Sequence, residues 1–121
     1  MKKILIADDE TSLRMLIAGT LEIGDFEVIE TDNGIDALKL ATIEKPDLMI
    51  LDVMMPGLTG YQVCQRIKSD EQLRQIPVII LTAKGQQADK DTAIEAKADY
   101  YVAKPFSPAQ LLTLVEEILG E

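Results

Sequence analysis

The sequence has no histidine and no tryptophan, and its one cysteine is Cys64. Without histidine neither Ser-His-Asp nor Cys-His catalysis is available, and a single thiol with no imidazole counts against a zinc site. One cysteine permits no internal disulfide, and its apolar neighbours mark Cys64 as a buried, inert thiol. Aromatics make up 4% of the residues, so the core must be mainly aliphatic. Long apolar runs are also missing. Leu48 to Leu51 and Val78 to Leu81 are strand-sized, far below the about 20 residues that span a bilayer. The N-terminal Met1 to Ile6 meets acidic residues too soon to form the apolar region of a signal peptide. A cytoplasmic location is therefore expected. Positive charge is scarce, with 12 basic against 21 acidic residues and a net charge of -9. No basic patch interrupts this balance, so direct binding to nucleic acid or an anionic membrane is not expected. Any chemistry must rest on carboxylates, lysine, threonine or a hard metal ion.

What is present suits one folded domain over residues 1–121. A chain of this length buries roughly two thirds of its unfolded surface without disulfides or structural metal. Its 47% hydrophobic and 27% charged content excludes a disordered polymer. Short β-rich runs alternate with longer helical patterns five times, which predicts βα units and a parallel sheet covered on both faces. The predicted strands are Lys3 to Ala7, Glu27 to Thr31, Leu48 to Leu51, Val78 to Leu81 and Tyr100 to Ala103. Three are almost continuously apolar and suit central positions, whereas Glu27-Val28-Ile29-Glu30 suits an edge.

The first helix carries Leu13, Leu16, Ile17, Thr20 and Leu21 at helical spacing, with Gly24 placed to stop it. Asp32-Asn33-Gly34 turns into the second helix, Pro46 separates that helix from the third strand, and Thr59-Gly60 opens the third helix. The last helix has Leu111, Leu112, Val115, Ile118 and Leu119 as its stripe, Ser107 as N-cap and Pro108 at its first position. A fourth helix near Gln86 to Ala96 has mostly small inward residues, Ala88, Ala93 and Ala96, with Ile94 the one large side chain. Such a helix buries little area and belongs to the low-stability end of a fold, where switching elements are found.

Functional groups in a doubly wound sheet collect outside the carboxyl ends of the strands. Asp8, Asp9 and Glu10 follow the first strand, Asp52 closes the third, Thr82 follows the fourth and Lys104 the fifth. If the first and third strands are neighbours, about 4.8 Å apart, their terminal carboxylates come within reach of one ion. Crowded carboxylates imply a bound divalent cation or raised, coupled pKa values. Mg²⁺ fits best, because it accepts a few carboxylates, keeps several waters and takes a phosphoryl oxygen as ligand. Capping of the first helix would explain one of these acids but not three. Asp52, at the end of an apolar strand, suits a carboxylate nucleophile towards phosphorus. Lys104 and a cation would supply charge, and the Thr82 hydroxyl a hydrogen bond to a phosphoryl oxygen.

Four segments, Ile-Ala-Asp-Asp-Glu (6–10), Leu-Asp-Val-Met-Met-Pro-Gly-Leu-Thr-Gly (51–60), Leu-Thr-Ala-Lys (81–84) and Tyr-Val-Ala-Lys-Pro-Phe (101–106), stand in an order and spacing that closely resembles the receiver domains of bacterial two-component response regulators. The likeness is to the single-domain, chemotaxis-regulator type and covers essentially the whole chain. It implies a flavodoxin-like (βα)5 fold with strand order 2-1-3-4-5. It also implies a phosphoacceptor at Asp52 and Mg²⁺ held by Asp9, Asp52 and the main-chain carbonyl of Met54, with Asp8 bonding through water. Thr82 and Lys104 match the phosphate-sensing pair, Tyr101 matches an aromatic that turns inward when the threonine closes on phosphate, and the bond before Pro105 is expected to be cis. Met54 and Lys84 occupy positions that tune acyl-phosphate hydrolysis in the family. Where the family often has glycine, this chain has Lys97, and a left-handed lysine there would carry strain.

With no histidine of its own, the chain needs a phosphohistidine from a sensor histidine kinase or phosphotransfer protein. The resemblance implies a self-phosphorylating, slowly self-dephosphorylating switch and not a conventional turnover enzyme. A downstream protein would dock on the face made by the fourth helix, fifth strand and last helix, and a phosphorylation-dependent dimer is a further expectation. The chain's end at Glu121 suggests output by binding without an effector domain. An aspartate-nucleophile phosphatase would need a second acid where Met54 stands. A flavin-phosphate binder would need hydroxyls and amides where the acidic loop stands. A receiver that binds partners without phosphorylation would have lost the acid pair, Asp52 or Lys104.

Overall fold

Ile4, Leu5, Ile6 and Ala7 are all fully buried, as are Leu48 to Leu51 and Val78 to Leu81. Only strands covered on both faces hide every side chain of such a run. The computed structural model describes residues 1–83 and 97–120. Its strands are β1 (Lys3–Ala7), β2 (Glu27–Thr31), β3 (Leu48–Asp52), β4 (Val78–Ala83) and β5 (Tyr100–Lys104). Its helices are α1 (Thr11–Ile23), α2 (Gly34–Glu44), α3 (Gly60–Ser69) and α4 (Pro108–Leu119). All strand pairs are parallel and the order is β2-β1-β3-β4-β5, the flavodoxin-like arrangement. The polar β2 lies at one edge, as its sequence requires. The expected helix at 86–96, with Ala88, Ala93, Ile94 and Ala96, lies outside the described residues, as do Lys84 and Glu121.

Alternation along the strands divides the interior into two layers. Leu5, Ala7, Met49, Leu51, Val78 and Ile80 pack with Ala37 and Ala41 of α2 and Val63, Cys64 and Ile67 of α3. Ile4, Ile6, Leu48, Ile50, Ile79 and Leu81 pack with Ile17, Ala18 and Leu21 of α1 and Leu111 and Val115 of α4. Cys64 is fully buried, and burial, the main influence, pushes its thiol pKa up to about 12. A thiol held protonated in this way is unreactive at neutral pH.

Two details of α1 differ from expectation. Leu16 is 52% exposed, while Ala18 is buried beside Ile17 and Leu21. At 100° per residue the inward stripe runs through 14, 17, 18 and 21, which leaves Leu16 on the far flank. Gly24 caps the helix with a right-handed φ of -81°, and the left-handed residue is Asp25 at φ 67°. A side chain at Gly24 would meet Leu112 of α4 at 2.8 Å, so this glycine serves helix–helix approach. The other ends follow the sequence. Asn33 accepts from the Asp36 amide at 2.8 Å, Thr59 and Gln62 form a capping box, and Ser107 caps α4 ahead of Pro108.

Lys97 is left-handed at φ 59°, the strained geometry anticipated from the missing glycine. Its neighbourhood imposes it. The Asp99 amide donates to the Val78 carbonyl at 3.1 Å, the Val78 amide donates to Asp99 Oδ2 at 2.8 Å, and Lys68 Nζ lies 2.7 Å from the same oxygen. Replacing Lys97 with glycine should raise the unfolding free energy by roughly 0.5–1 kcal/mol, the left-handed penalty less the added backbone entropy. A urea titration in which Lys97→Gly unfolds at lower denaturant than wild type would overturn this assignment of strain.

Candidate functional site

Register brings the acids together. Ala7 of β1 is opposite Leu51 of β3, so the next residues, Asp8 and Asp52, leave neighbouring strands at the same rim. Asp52 is in turn opposite Leu81 of β4, which puts Thr82 one step beyond it on that rim. The β4–β5 ladder continues through Thr82 opposite Ala103 to Ala83 opposite Lys104. Both functional residues are therefore the last parts of their strands, one or two positions past the apolar runs.

Asp8 is fully buried and Asp52 is 6% exposed. One oxygen each from Asp8, Asp9 and Asp52 lie within 4.8 Å of one another. Lys104 Nζ is 2.9 Å from Asp52 Oδ1 and 4.0 Å from Asp8 Oδ2. Asp8 Oδ1 accepts from the Glu10 amide at 2.9 Å, whereas its Oδ2 is buried without a hydrogen-bond partner. Desolvation, the strongest influence, raises the Asp8 pKa. The Asp52 and Asp9 charges act the same way, against the Glu10 amide and the Lys104 charge. Burial pulls Lys104 down, but its hydrogen bond to Asp52 and the charges of Asp52, Asp8 and Glu10 outweigh this and hold it above the ordinary lysine value.

Neither aspartate caps α1. Glu10 is the N-cap residue and makes no side-chain capping bond. The site thus combines an orphaned buried carboxylate oxygen with two more carboxylates and no soft ligand. That oxygen-only donor set fits a hard divalent cation. An open cleft of about 540 Å³, lined by Asp9, Asp32, Asn33, Ile35, Pro56 and Gly57, gives access from solvent.

Gly60 places α3 against the acid. Its amide donates to the Val53 carbonyl at 3.0 Å, and a β-carbon there would collide with the Asp52 carbonyl. Thr82 is half-buried, and the Met54 side chain is 61% exposed in the loop that leaves β3. Tyr101 is outside the cluster. It is 44% exposed and shares a sheet face with Ile80 of β4. Burial raises its phenol pKa, a hydrogen bond from the Ala98 amide opposes this, and Cys64, Tyr61 and Asp99 are the nearby groups that add to the rise. The Lys104–Pro105 bond is cis, as the resemblance implied.

Sequence reasoning missed Arg14 and Glu30. Arg14 Nη1 donates to the Asp8 carbonyl at 2.7 Å and Nε to Glu30 Oε1 at 3.1 Å. The available signal was a charged residue at 14 in line with the apolar stripe 17, 18 and 21.

The family profile of the response regulator receiver domain matches residues 4–116. The chain belongs to the response regulator receiver domain family. As a receiver domain it is a component of phosphorylation-dependent two-component signalling. It is 42% identical over 118 residues to the phosphate regulon transcriptional regulatory protein PhoB of Pseudomonas aeruginosa, covering 98% of this chain and 52% of that protein. The chemotaxis response regulator CheY4 of Vibrio cholerae superposes with a TM-score of 0.89 at 30% identity, over 98% of each chain. The receiver domain of the sensor histidine kinase PA1611 of P. aeruginosa superposes at 0.90 with 29% identity, over 99% of this chain and 98% of that one. Its structure is described with a magnesium ion coordinated in the active site cleft.

The receiver spans about half the length of the curated relatives it matches. Those relatives are named as transcriptional regulators. The charge argument concerns the surface of residues 1–121 and does not reach the function of a longer homologue. No helix among the described residues is long and apolar enough to cross a membrane.

The raised pKa of Asp8 makes a signed prediction. A carboxyl that holds its proton more tightly folded than unfolded makes stability fall as pH rises, from the unfolded value of about 3.9 up through the raised folded value. In metal-free protein, Asp8→Asn should therefore be more stable than wild type at neutral pH. That gain should shrink as the pH falls towards 4. Denaturant midpoints of the two proteins across this range are the check, and a gain that grows on acidification would contradict the desolvation argument.

Proposed function

We propose that residues 1–121 form one receiver domain whose Asp52 accepts a phosphoryl group from a phosphohistidine on a sensor kinase or phosphotransfer protein. The observation that carries this reading is the Lys104 ammonium held 2.9 Å from Asp52 Oδ1 while a second, buried carboxylate beside it keeps an unpartnered oxygen. Asp9, Asp52 and the main-chain carbonyl of Met54 would hold Mg²⁺, with Asp8 bonding through water. The magnesium described in the PA1611 receiver supports this choice. When bound, Mg²⁺ neutralises carboxylate charge and draws a phosphoryl oxygen into place.

The residues of the chain divide the remaining work. A carboxylate oxygen of Asp52 attacks phosphorus in line with the donor's P–N bond. That bond breaks, and its electron pair returns to the ring nitrogen, so a donor ring that carries a proton on its other nitrogen leaves as neutral imidazole without an acid from this chain. Lys104 passes from Asp52 Oδ1 to a phosphoryl oxygen, where its charge is of most use as negative charge moves outward. The Thr82 hydroxyl donates to another phosphoryl oxygen and so draws the end of β4 inward. Tyr101, 44% exposed, then turns inward, and the face around β5 and α4 changes for a protein target. The names of the transcriptional relatives support an output at DNA through a domain or partner other than this acidic surface.

The test is beryllofluoride or acetyl phosphate with Mg²⁺ on wild type, Asp52→Ala and Thr82→Ala. Wild type should gain the mass of one phosphoryl group from acetyl phosphate and show shifted tyrosine NMR signals with beryllofluoride. Asp52→Ala should do neither. Thr82→Ala should take up the group without the Tyr101 shift. Phosphorylation that persists in Asp52→Ala would sink the proposal.

A further inference from the structure

We propose that Arg14 is a positioning residue for the cation site, acting by clamping the main chain of the acidic loop to β2. This inference rests on the reading of the acidic cluster as an Mg²⁺ site. The geometry is specific. Arg14 stands on the inward stripe of α1 with Ile17, Ala18 and Leu21, and its side chain is 16% exposed. A guanidinium on a buried stripe is costly unless its donors are satisfied. Here they are aimed at two named acceptors, the Asp8 carbonyl at 2.7 Å and Glu30 Oε1 at 3.1 Å. Glu30 belongs to β2, paired with β1 through Ile6. The Asp8 amide is itself bonded to the Thr31 carbonyl of β2 at 3.1 Å. Asp8 is thus held to β2 on both sides of its peptide, directly through its amide and by way of Arg14 and Glu30 through its carbonyl.

The clamp has a physical reason. The Asp8, Asp9 and Asp52 carboxylates repel one another, and Asp8 and Asp9 lie on a short connection between β1 and α1. Without restraint, that connection would relieve the repulsion by swinging its carboxylates towards water, and the cation would have to reassemble the site on binding. The largest charge influences on the Asp8 carboxyl are those of Asp52, Lys104 and Asp9. Arg14 bonds the Asp8 carbonyl and not its carboxylate, and its own charge is paired with Glu30, so it competes less with the cation than a cation bonded to the acid would. Arginine suits the task because its planar fork reaches two acceptors at once, which a lysine ammonium on a flexible stem does not reproduce.

The experiment is calorimetric titration of Mg²⁺ into wild type, Arg14→Gln, Arg14→Lys, Glu30→Gln and the Arg14→Gln/Glu30→Gln double variant, with far-ultraviolet circular dichroism to verify folding. Arg14→Gln should weaken Mg²⁺ binding roughly tenfold, in line with other outer-shell supports of metal ligands. Arg14→Lys should lie between it and wild type, and Glu30→Gln should cost less. The double variant should bind no more weakly than Arg14→Gln, because Glu30 acts through Arg14. Folded Arg14 variants with lowered thermal stability but wild-type Mg²⁺ affinity would overturn the positioning role and leave the metal reading intact. Arg14→Lys and Glu30→Gln decide the matter if Arg14→Gln does not fold. Wild type that binds no Mg²⁺, or binds it equally well as Asp9→Ala, would overturn both.

Discussion

Three carboxylates and a lysine ammonium meet at the carboxyl edge of the sheet, and this imbalance of charge governs the rest of the structure. Lys104 stands at hydrogen-bond distance from Asp52 but not from Asp8, whose second oxygen is left without a partner in a dry position. Burying a charge without compensation is among the more unfavourable acts in folding. The domain keeps it there because three central strands, each with a fully buried apolar run of four residues, fix where β1 and β3 end. Hydrophobic burial in two layers thus holds Asp8 and Asp52 largely out of water beside the exposed Asp9. A cation, or a phosphoryl group with its cation, lowers the energy of that arrangement, which is the thermodynamic basis for coupling ligation to conformation.

The same packing divides the molecule into rigid and adjustable parts. β1, β3 and β4 are covered on both faces, while β5 is an edge strand whose Tyr100 and Tyr101 are 40% and 44% exposed. Thr82 and Lys104 lie on the last residues of β4 and β5, between the fixed acids and this exposed edge. The segment entering β5 is not loose. Asp99 is bonded through both its amide and its carboxylate to the start of β4, and Lys68 pairs with that carboxylate. Such anchoring fixes the strand entry, so in the proposed switch a displacement at Thr82 would be taken up by the exposed side chains of β5.

Much of this could be read from the sequence because the governing signals are local. Unbroken apolar runs identified the central strands, the Glu-Val-Ile-Glu run identified an edge, and Thr59, Asn33 and Ser107 mark helix starts by chemistry that does not depend on the rest of the fold. Asp8, Asp9, Asp52 and Lys104 are legible because each ends a strand or closely follows one. The misreadings arose where tertiary contact decides. Gly24 stops α1 as its sequence position suggests, but its missing side chain also makes room for Leu112, and the left-handed turn falls on Asp25. Leu16 fits a stripe through 13, 16, 17, 20 and 21, although the inward stripe through 14, 17, 18 and 21 leaves it exposed. Choosing Leu16 for the inner face hid Arg14, since a polar residue on a buried stripe becomes informative only once the stripe is drawn correctly.

Arg14 also shows why a charge cluster of this kind needs support from main-chain bonds. A positive side chain placed directly on the acids would relieve their repulsion and, by the same interaction, compete with the cation the site exists to bind. Lys104 already takes that direct place, 2.9 Å from Asp52 Oδ1, and in the proposed mechanism it leaves the acid for the phosphoryl group. Any further restraint must hold the acids in position without neutralising them. Hydrogen bonds to the Asp8 amide and carbonyl satisfy that requirement, because they restrict the backbone and leave the Asp8 carboxylate charge available. The residues that neutralise charge at this site and those that position it are therefore distinct.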